Sequence, residues 1–427
     1  MKNIFLLSFC FLLSCSPGLQ KQLTKQVKQA EQELQHHIGI YITEPATGKT
    51  VFEWKADKYF TPASNTKVLT FYTCLQVLGD SLPAIRYREN NDSLIFQGMA
   101  DPSFLNPFVY TNANVFNFLK NHEKPLYFAT SATQPQRYGT GWAWDDYPGN
   151  YQPERSAFPL YSNLVTVRFS NNVFTIIPPS FTPFVTIGEN KKYLEANRSE
   201  TINRFTVHAP SNGLKSQTEI PFIVNDTTIH QLLQDTLLRK ITPVAYSLSR
   251  SDKVLFSTPT DSVLKVMMQE SDNFLAEQLL LQCALILTDS LTEDAAIRFM
   301  QRNYFADIPD ALIWKDGSGL SRYNLVTPRS MVNVWKKIVA KRSIPTLLPL
   351  LATGGKNGTI ANWYKADTPY IFGKTGTLAN NHSLSGLLFT KSGKMLVFSY
   401  MNSHYPGTAT QVRKQMQQIF EYLRNKY

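Results

Sequence analysis

Cysteine and histidine are scarce in this sequence, and neither is spaced as metal ligands usually are. The 427 residues include four cysteines and seven histidines, without a Cys-x-x-Cys pair or a His-Glu-x-x-His motif. We therefore expect neither a metal site nor another cofactor. Cys74 and Cys283 lie in apolar segments with helical spacing, where the default state of a cysteine is a buried free thiol.

Blocks of like charge, repeats and low-complexity tracts are also lacking. The formal net charge of +11 comes from 43 basic and 32 acidic residues that are spread along the chain. Charges distributed in this way are typical of a solvated surface, so we expect no nucleic-acid partner. The hydrophobic content of 43% indicates a globular chain.

Apolar runs long enough to span a bilayer are lacking. A shorter apolar run covers residues 4–13, after Lys2. This run is too short to span a bilayer and resembles a secretory signal. The sequence Leu-Leu-Ser-Cys that ends at Cys15 resembles a lipobox, in which the cysteine is lipidated. We expect residues 1–15 to be a lipoprotein signal peptide, with ordinary cleavage nearby as the alternative. A lipid on Cys15 would anchor a periplasmic or cell-envelope protein to a membrane, through a polar, helix-prone tether at about residues 18–36.

Hydrophobic patterning predicts a hairpin followed by a helix at residues 38–77 and a hairpin followed by a helix at the C-terminus. Strands near both termini suggest that the chain ends meet in one sheet, which gives an α/β (α+β) fold. The segment 85–245 is rich in proline, aromatic residues and alternating stretches, including a hairpin predicted to turn at Asn171-Asn172. We interpret it as an inserted β-rich domain, between the parts 16–84 and 246–427 of one catalytic domain. Helical spacing returns over 261–287.

The first candidate motif for catalysis is S-x-x-K, with Ser64 and Lys67 at a predicted helix start. This spacing puts an amine one helical turn from a hydroxyl, and a serine needs an adjacent base to act as a nucleophile. The pattern is weak by itself, because Ser262 and Lys265 match it as well.

The second and third candidate motifs are S-x-N, at Ser271 and Asn273, and K-T-G, at residues 374–376. S-x-N offers a second hydroxyl for proton relay and an amide that can hold a substrate peptide group. K-T-G combines a cation and hydroxyls with a strand glycine, and these groups can bind a terminal carboxylate. Each is weak alone, and S-x-N occurs again at 170–172. In isolation a surface lysine, a capping serine or a strand glycine is the more frequent reading.

The order S-x-x-K, S-x-N, K-T-G is the set found in β-lactamases and penicillin-binding proteins. Longer strings resemble the D-alanyl-D-alanine carboxypeptidase/endopeptidase family of class C low-molecular-weight penicillin-binding proteins, peptidase family S13. These strings are Pro62-Ala63-Ser64-Asn65-Thr66-Lys67, Asp101-Pro102-Ser103, Gly141-Trp142-Ala143-Trp144-Asp145-Asp146, Glu270-Ser271-Asp272-Asn273 with Ala276-Glu277, Asp316-Gly317-Ser318-Gly319-Leu320-Ser321-Arg322, Asn357-Gly358-Thr359 and Gly373-Lys374-Thr375-Gly376-Thr377-Leu378. The resemblance covers almost the whole mature chain. It implies a serine β-lactamase/transpeptidase-like domain, an antiparallel sheet flanked by helices, with the inserted domain as the family's hallmark.

The resemblance also implies a mechanism, in which Ser64 attacks the peptide bond between two terminal D-alanines and forms an acyl-enzyme that water hydrolyses. Lys67 would take the serine proton, directly or through Ser271, with its pKa lowered by burial and by the charge of Lys374. Backbone N–H groups of Ser64 and Thr377 would form the oxyanion hole.

The remaining implied roles concern the substrate. Asn273 would hold the substrate amide, while Lys374, Thr375, Gly376 and Thr377 would lie near the terminal carboxylate. For Asp146 and Arg322 we expect contacts with the diamino-acid side chain of the peptide, and a structural ion pair or cap is an equal alternative.

The expected partners are peptidoglycan stem peptides, β-lactam antibiotics as covalent inhibitors, and the membrane. The main alternative activity is that of a β-lactamase, which shares the acylation machinery but needs fast deacylation. A non-catalytic peptidoglycan-binding lipoprotein is a second alternative, which the complete set of motifs argues against. We further hypothesise that the insertion selects the stem peptide and does not build the catalytic centre, because all three motifs lie outside it.

Overall fold

The computed structural model describes residues 17–110, 112–130 and 134–427. The predicted signal peptide and Cys15 lie outside these residues. The α-helices are α1 (Pro17–Leu34), α2 (Lys67–Val77), α3 (Asn114–Asn121), α4 (Asp226–Leu237), α5 (Thr260–Gln269), α6 (Asn273–Thr288), α7 (Glu293–Asn303), α8 (Pro328–Lys341), α9 (Ile344–Leu347) and α10 (Ala409–Lys426). Short 3-10 helices cover Ala63–Thr66, Trp144–Asp146, Tyr161–Asn163, Pro179–Phe184, Leu348–Leu350 and Gly358–Ile360.

The β-strands fall into four sheets. They are β1 (His37–Glu44), β2 (Lys49–Trp54), β3 (Ser81–Glu89), β4 (Leu94–Gly98), β5 (Leu126–Ala129), β6 (Leu164–Ser170), β7 (Val173–Ile177), β8 (Val185–Ile187), β9 (Glu195–Arg198), β10 (Phe205–His208), β11 (Ser216–Pro221), β12 (Ile241–Val244), β13 (Lys253–Pro259), β14 (Ala352–Thr353), β15 (Ile371–Leu378), β16 (Asn381–Phe389) and β17 (Met395–Ser403).

The largest sheet has six strands in the order β14-β15-β16-β17-β1-β2. Strand β1 pairs antiparallel with β17, with Ile40 opposite Tyr400, so the chain ends meet in one sheet as the sequence predicts. Alternate residues of β17 face opposite sides: Phe398 packs with α1 and α10, whereas Val397 packs with α2, α6 and α8. This alternation gives the sheet a helical layer on each face.

Helix α1 corrects one prediction, because it is part of the folded body and does not form a tether. Its residues Leu19, Leu23 and Val27 are at most 5% exposed and belong to the core that the sheet shares with α10. They recur every four residues and form the apolar stripe of an amphipathic helix. The many lysines and glutamines between them made the segment look polar overall.

Three smaller sheets occupy the region that the sequence marked as β-rich. The five-stranded sheet has the order β12-β5-β4-β3-β13, and the two three-stranded sheets have the orders β11-β6-β7 and β8-β10-β9. Together with α3 and α4 they enclose a core of their own that is rich in phenylalanine. These sheets begin at Ser81 and end at Pro259. The domain division at 85 and 245 stays a prediction.

Two local details bear on the sequence patterns. The hairpin of β6 and β7 turns at Asn171 and Asn172 as predicted, and both residues have positive φ, which asparagine tolerates better than most residues. The helical pattern over 261–287, in contrast, is two helices. The break at residues 270–272 places Ser271 between α5 and α6, with φ of 63°.

No single helix among the described residues is long and apolar enough to cross a membrane. Two consecutive helices, Asn273–Thr288 and Glu293–Asn303, pass that length and composition test only together, and they are bent by 70° relative to each other.

Candidate active site

Ser64 lies in the 3-10 helix Ala63–Thr66, directly before α2 begins at Lys67. Two glycines allow this turn to sit tightly against its neighbours. A Cβ at Gly376 would lie 2.2 Å from the carbonyl oxygen of Pro62, so strand β15 runs against the backbone of the turn. Gly319 has φ of +87°, and a Cβ there would lie 1.9 Å from the carbonyl oxygen of Ala63. The backbone of three chain segments therefore converges around Ser64.

Lys67 is fully buried and contacts the predicted nucleophile. Its Nζ donates to Ser64 Oγ at 3.0 Å, to Asn273 Oδ1 at 2.6 Å and to the carbonyl oxygen of Ser318 at 2.7 Å. Burial lowers the pKa of Lys67 to about 8, against the opposing charges of Asp316, Asp272 and Glu277. A buried amine with a lowered pKa next to a serine hydroxyl can accept its proton near neutral pH.

Lys374 and Ser271 form a second pair of hydrogen-bonded side chains. Lys374 is fully buried, and its Nζ donates to Ser271 Oγ at 2.6 Å and to the carbonyl oxygen of Thr375 at 2.8 Å. Its pKa is lowered well below the usual value by burial first and by the charge of Lys67 second. We expected the charge of Lys374 to lower the pKa of Lys67, whereas the charge of Lys67 lowers the pKa of Lys374.

Asn273 is the first residue of α6, which Asp272 caps by accepting from the N–H of Leu275 at 2.8 Å. The side-chain oxygen of Asn273 accepts from Lys67, while its Nδ2 donates to the carbonyl oxygen of Tyr151 at 2.9 Å. Both ends of the amide that was predicted to hold substrate are therefore bonded to protein groups.

Asn65 is a site residue that the motif pattern did not reveal. Its side chain is fully buried and donates to the carbonyl oxygen of Lys374 at 3.0 Å and to Ser383 Oγ at 2.9 Å. Its Oδ1 accepts from Ser385 Oγ. Because these partners lie on β15 and β16, Asn65 fixes the turn that carries Ser64 to the strand that carries Lys374. It occupies a variable position of S-x-x-K, so spacing gave no signal for it.

The loop 316–322 borders the site and is held by buried carboxylates. Asp316 is fully buried and accepts from the N–H groups of Gly319 and Ser321 at 2.9 and 2.7 Å. Glu277 Oε1 accepts from the N–H of Ser318 at 2.7 Å. In the sequence, only the resemblance of the string 316–322 to the family indicated that this loop belongs to the site.

A cleft of about 610 Å³ opens in front of Ser64. Its lining includes the predicted site residues Asn273, Thr377, Asp146 and Arg322. Thr377 is exposed and lines the same cleft as Ser64. Candidate positions for the attacking hydroxyl and the oxyanion donors thus share one space.

Asp146 and Arg322 both line this cleft, and no ion pair joins them among the described residues. Asp146 Oδ1 accepts from the hydroxyl of Tyr151 at 2.7 Å, and this bond is the main reason that the pKa of Tyr151 rises to about 12. Arg322 Nη1 donates to the carbonyl oxygen of Ala379 at 3.4 Å. The guanidinium is exposed, so most of its donors face solvent.

Thr375, in contrast, is not among the residues that line the cleft. It is 5% exposed and donates to Thr359 Oγ1 at 2.7 Å. The two duplicate motifs lie elsewhere: Lys265 is exposed on α5, and residues 170–172 form the turn of a hairpin. Of the candidate motifs, the structure thus brings together only the set at Ser64, Ser271 and Lys374.

Among the described residues, no group of three or more histidine, cysteine, aspartate or glutamate side chains is arranged to hold a metal ion. Cys74 and Cys283 are both free and buried.

Comparison with known proteins identifies the family. The sequence matches the model of the D-Ala-D-Ala carboxypeptidase 3 (S13) family over residues 19–423. The chain belongs to this family. It is 20% identical to the D-alanyl-D-alanine carboxypeptidase DacB of Haemophilus influenzae, over 98% of this chain and 96% of that protein. It is 22% identical to the penicillin-sensitive carboxypeptidase A of Dictyostelium discoideum, over 88% and 85% of the two chains.

Solved structures of similar proteins show the fold. The crystal structure of penicillin binding protein 4 (dacB) from Haemophilus influenzae superposes with a TM-score of 0.76, at 19% identity over 93% of this chain and 99% of that one. A penicillin G-acylated predatory endopeptidase from Bdellovibrio bacteriovorus, bound to an immunity protein, gives a TM-score of 0.51 at 17% identity over 91% and 92%. These likenesses confirm the predicted fold class.

Proposed function

We propose that this S13 protein is a serine D-Ala-D-Ala carboxypeptidase that acts on peptidoglycan stem peptides through an acyl-enzyme on Ser64. The observation that carries the proposal is the 3.0 Å contact between Ser64 Oγ and the buried amine of Lys67. A serine hydroxyl becomes an effective nucleophile when a base lies within hydrogen-bonding distance, and the lowered pKa of Lys67 makes its neutral form accessible.

In the proposed acylation step, Ser64 Oγ attacks the carbonyl carbon of the penultimate D-alanine while its proton passes to Lys67 Nζ. The direct contact supports Lys67 as the immediate acceptor. Ser271 is bonded to Lys374, at 2.6 Å. We assign this pair to the opposite end of the reaction: the Ser271 hydroxyl, held by Lys374, relays to the leaving amine the proton that Lys67 took from Ser64, and Lys67 becomes neutral again. The C–N bond then breaks and D-alanine leaves.

The oxyanion that forms during the attack would accept from the N–H groups of Ser64 and Thr377, two residues that line the same cleft. Each such donor contributes about 3 to 4 kcal/mol to transition-state stabilisation in other acyl-transfer enzymes. In deacylation, the neutral Lys67 takes a proton from water as the water oxygen attacks the ester carbon, and Lys67 returns that proton to Ser64 Oγ as the ester C–O bond breaks. We assign to the exposed guanidinium of Arg322 and the carboxylate of Asp146 contacts with the polar side chain of a stem peptide, because both residues line the cleft.

The same machinery supports covalent inhibition by β-lactams. Attack by Ser64 on a lactam carbonyl breaks the ring C–N bond, but the amine that leaves stays tethered and obstructs the hydrolytic water. The penicillin G adduct of the Bdellovibrio endopeptidase gives a precedent in a protein of this fold. That neighbour is an endopeptidase. We therefore include crosslinked peptides among the proposed substrates.

We further propose that the protein is exported and held at a membrane of the cell envelope by a lipid on Cys15. The support is the short apolar run that ends in a lipobox-like Leu-Leu-Ser-Cys. Peptidoglycan lies outside the cytoplasmic membrane, so export is what the proposed substrate requires.

The experiment that tests the activity is digestion of purified monomeric and crosslinked muropeptides, with the products identified by mass. We expect pentapeptide stems to lose one D-alanine, and a Ser64→Ala variant to leave them intact. A Ser262→Ala variant is the matched control, because it removes the serine of the duplicate S-x-x-K motif on α5. Unchanged pentapeptides with the wild-type protein would contradict the proposal.

A further inference from the structure

The inserted region contacts the candidate active site through its segment 137–156. Trp142 Nε1 donates to Asp316 Oδ2 at 2.9 Å, and the carbonyl oxygen of Tyr151 accepts from Asn273 at 2.9 Å. Arg155 reaches further and pairs with Glu277 on α6. These contacts argue against our hypothesis that the insertion only selects substrate, because each one ends on a residue that touches Lys67 or the loop beside it.

Arg155 is a buried cation whose guanidinium contacts several protein groups. Its guanidinium is 3.4 Å from Glu277 Oε2 and 3.1 Å from Glu293 Oε1. Its other nitrogens donate to the carbonyl oxygens of Gln136 and Tyr138, both at 2.9 Å. A planar guanidinium with several directional bonds is well suited to hold a carboxylate in one orientation.

Glu277 connects this cation to the loop that contacts Lys67. Its Oε2 faces Arg155, while its Oε1 accepts from the N–H of Ser318 at 2.7 Å. Burial first and the charge of Asp316 second raise the pKa of Glu277 to about 7, whereas Arg155 lowers it. Arg155 therefore favours the ionised carboxylate, which is the stronger hydrogen-bond acceptor for the Ser318 N–H.

The Ser318 residue is fixed on both of its sides. Its N–H is held by Glu277, and the next peptide plane is held by Asp316, which accepts from the N–H of Gly319 at 2.9 Å. Because a peptide unit is planar, fixing the Gly319 N–H also fixes the direction of the Ser318 carbonyl. That carbonyl accepts from Lys67 Nζ at 2.7 Å.

We propose that Arg155 and Glu277 are positioning residues for the base: together they hold the Ser318 carbonyl where it orients the amine of Lys67 toward Ser64. The proposal rests on the proposed function, in which Lys67 takes the serine proton. It assigns the inserted region a part in acylation itself, through a buried cation that does not itself line the cleft.

Glu293 provides a matched control for this assignment. Like Glu277, it pairs with Arg155, and Glu293→Ala would likewise leave the guanidinium with a single carboxylate. Unlike Glu277, it makes no hydrogen bond to the Ser318 loop within the described part of the chain. Both variants remove one carboxylate partner of Arg155, but only Glu277→Ala also removes the bond to the Ser318 N–H, so the two should differ in chemistry.

The test compares second-order rates of acylation by a small penicillin, together with kcat and KM for a D-Ala-D-Ala peptide. We expect Glu277→Ala to slow acylation and lower kcat by about tenfold to a hundredfold, since small misplacements of a reacting group cost that much, with KM within about twofold. Glu293→Ala should acylate at nearly the wild-type rate. Glu277→Gln keeps an oxygen acceptor for the Ser318 N–H and should restore most of the rate.

Equal acylation rates for Glu277→Ala and Glu293→Ala, whether reduced or at the wild-type level, would overturn the assignment. Should Glu277→Ala fail to fold, Arg155→Lys replaces it; this variant keeps the buried charge but shortens the reach to Glu277. It must acylate more slowly than Glu293→Ala for the assignment to stand. A wild-type protein that penicillin does not acylate would instead contradict the proposed function.

Discussion

The pH dependence of acylation tests the role of Lys67, because only the neutral amine can accept the serine proton. With the pKa of Lys67 at about 8, about one molecule in ten carries the neutral amine at pH 7, against about one in three thousand for an unshifted amine. Burial thus makes the base about three hundred times more available at neutral pH. The acylation rate should rise about tenfold per pH unit below pH 7 and level off above about pH 8.

The assay is the second-order rate of labelling by a fluorescent penicillin between pH 5 and pH 10. A second variant checks the cause of the midpoint. The charge of Asp272 raises the pKa of Lys67, so Asp272→Asn should move the midpoint to lower pH while asparagine still caps α6. Asp294→Asn, on the exposed side of α7, is the control and should leave the profile unchanged. A flat profile, or a rise that continues to pH 10, would refute the role of Lys67 as the base.

Three further outcomes follow from the structure and the sequence. Gly319→Ala should abolish labelling and destabilise the protein by about 2 kcal/mol or more, because a Cβ there meets the Ala63 carbonyl at a positive φ; normal labelling would show that this close approach is not required. Asp146→Ala should reduce cleavage of muropeptides more than penicillin labelling, and equal losses would count against a substrate-binding role. Cys15→Ala should move the protein from the membrane fraction to the soluble one, and retention in the membrane would contradict the lipid anchor.

Local rules were enough to predict the parts of the site that depend on chain neighbours. Ser64 and Lys67 are three residues apart at a helix start, so spacing alone predicted that their side chains would meet. The hairpin turn at Asn171-Asn172 was predictable for the same reason. Helix α1 could have been predicted as a packed helix from its four-residue apolar spacing, but its polar composition concealed that stripe.

Contacts between distant parts of the chain could not be predicted in this way. Asn65 bonds to Lys374, 309 residues away, and Arg155 pairs with Glu277, 122 residues away. No periodicity links such positions, because their meeting depends on how the inserted region packs on α6 and how β15 packs on the turn before α2. The break that leaves Ser271 between two helices is similar, since 261–287 reads as one apolar helical pattern.

The central claim, acylation at Ser64 in a peptidase, is tested most directly by intact-protein mass and peptide mapping after a penicillin pulse, followed over time beside a D-alanine release assay. We predict one adduct on Ser64 that persists because its leaving amine stays tethered, absent in Ser64→Ala and present in Ser262→Ala, together with D-alanine release from pentapeptides. Each tenfold slowing of deacylation needs only about 1.4 kcal/mol, so a modest obstruction of the water is sufficient. Rapid loss of the adduct over many turnovers without D-alanine release would identify a β-lactamase and contradict the account.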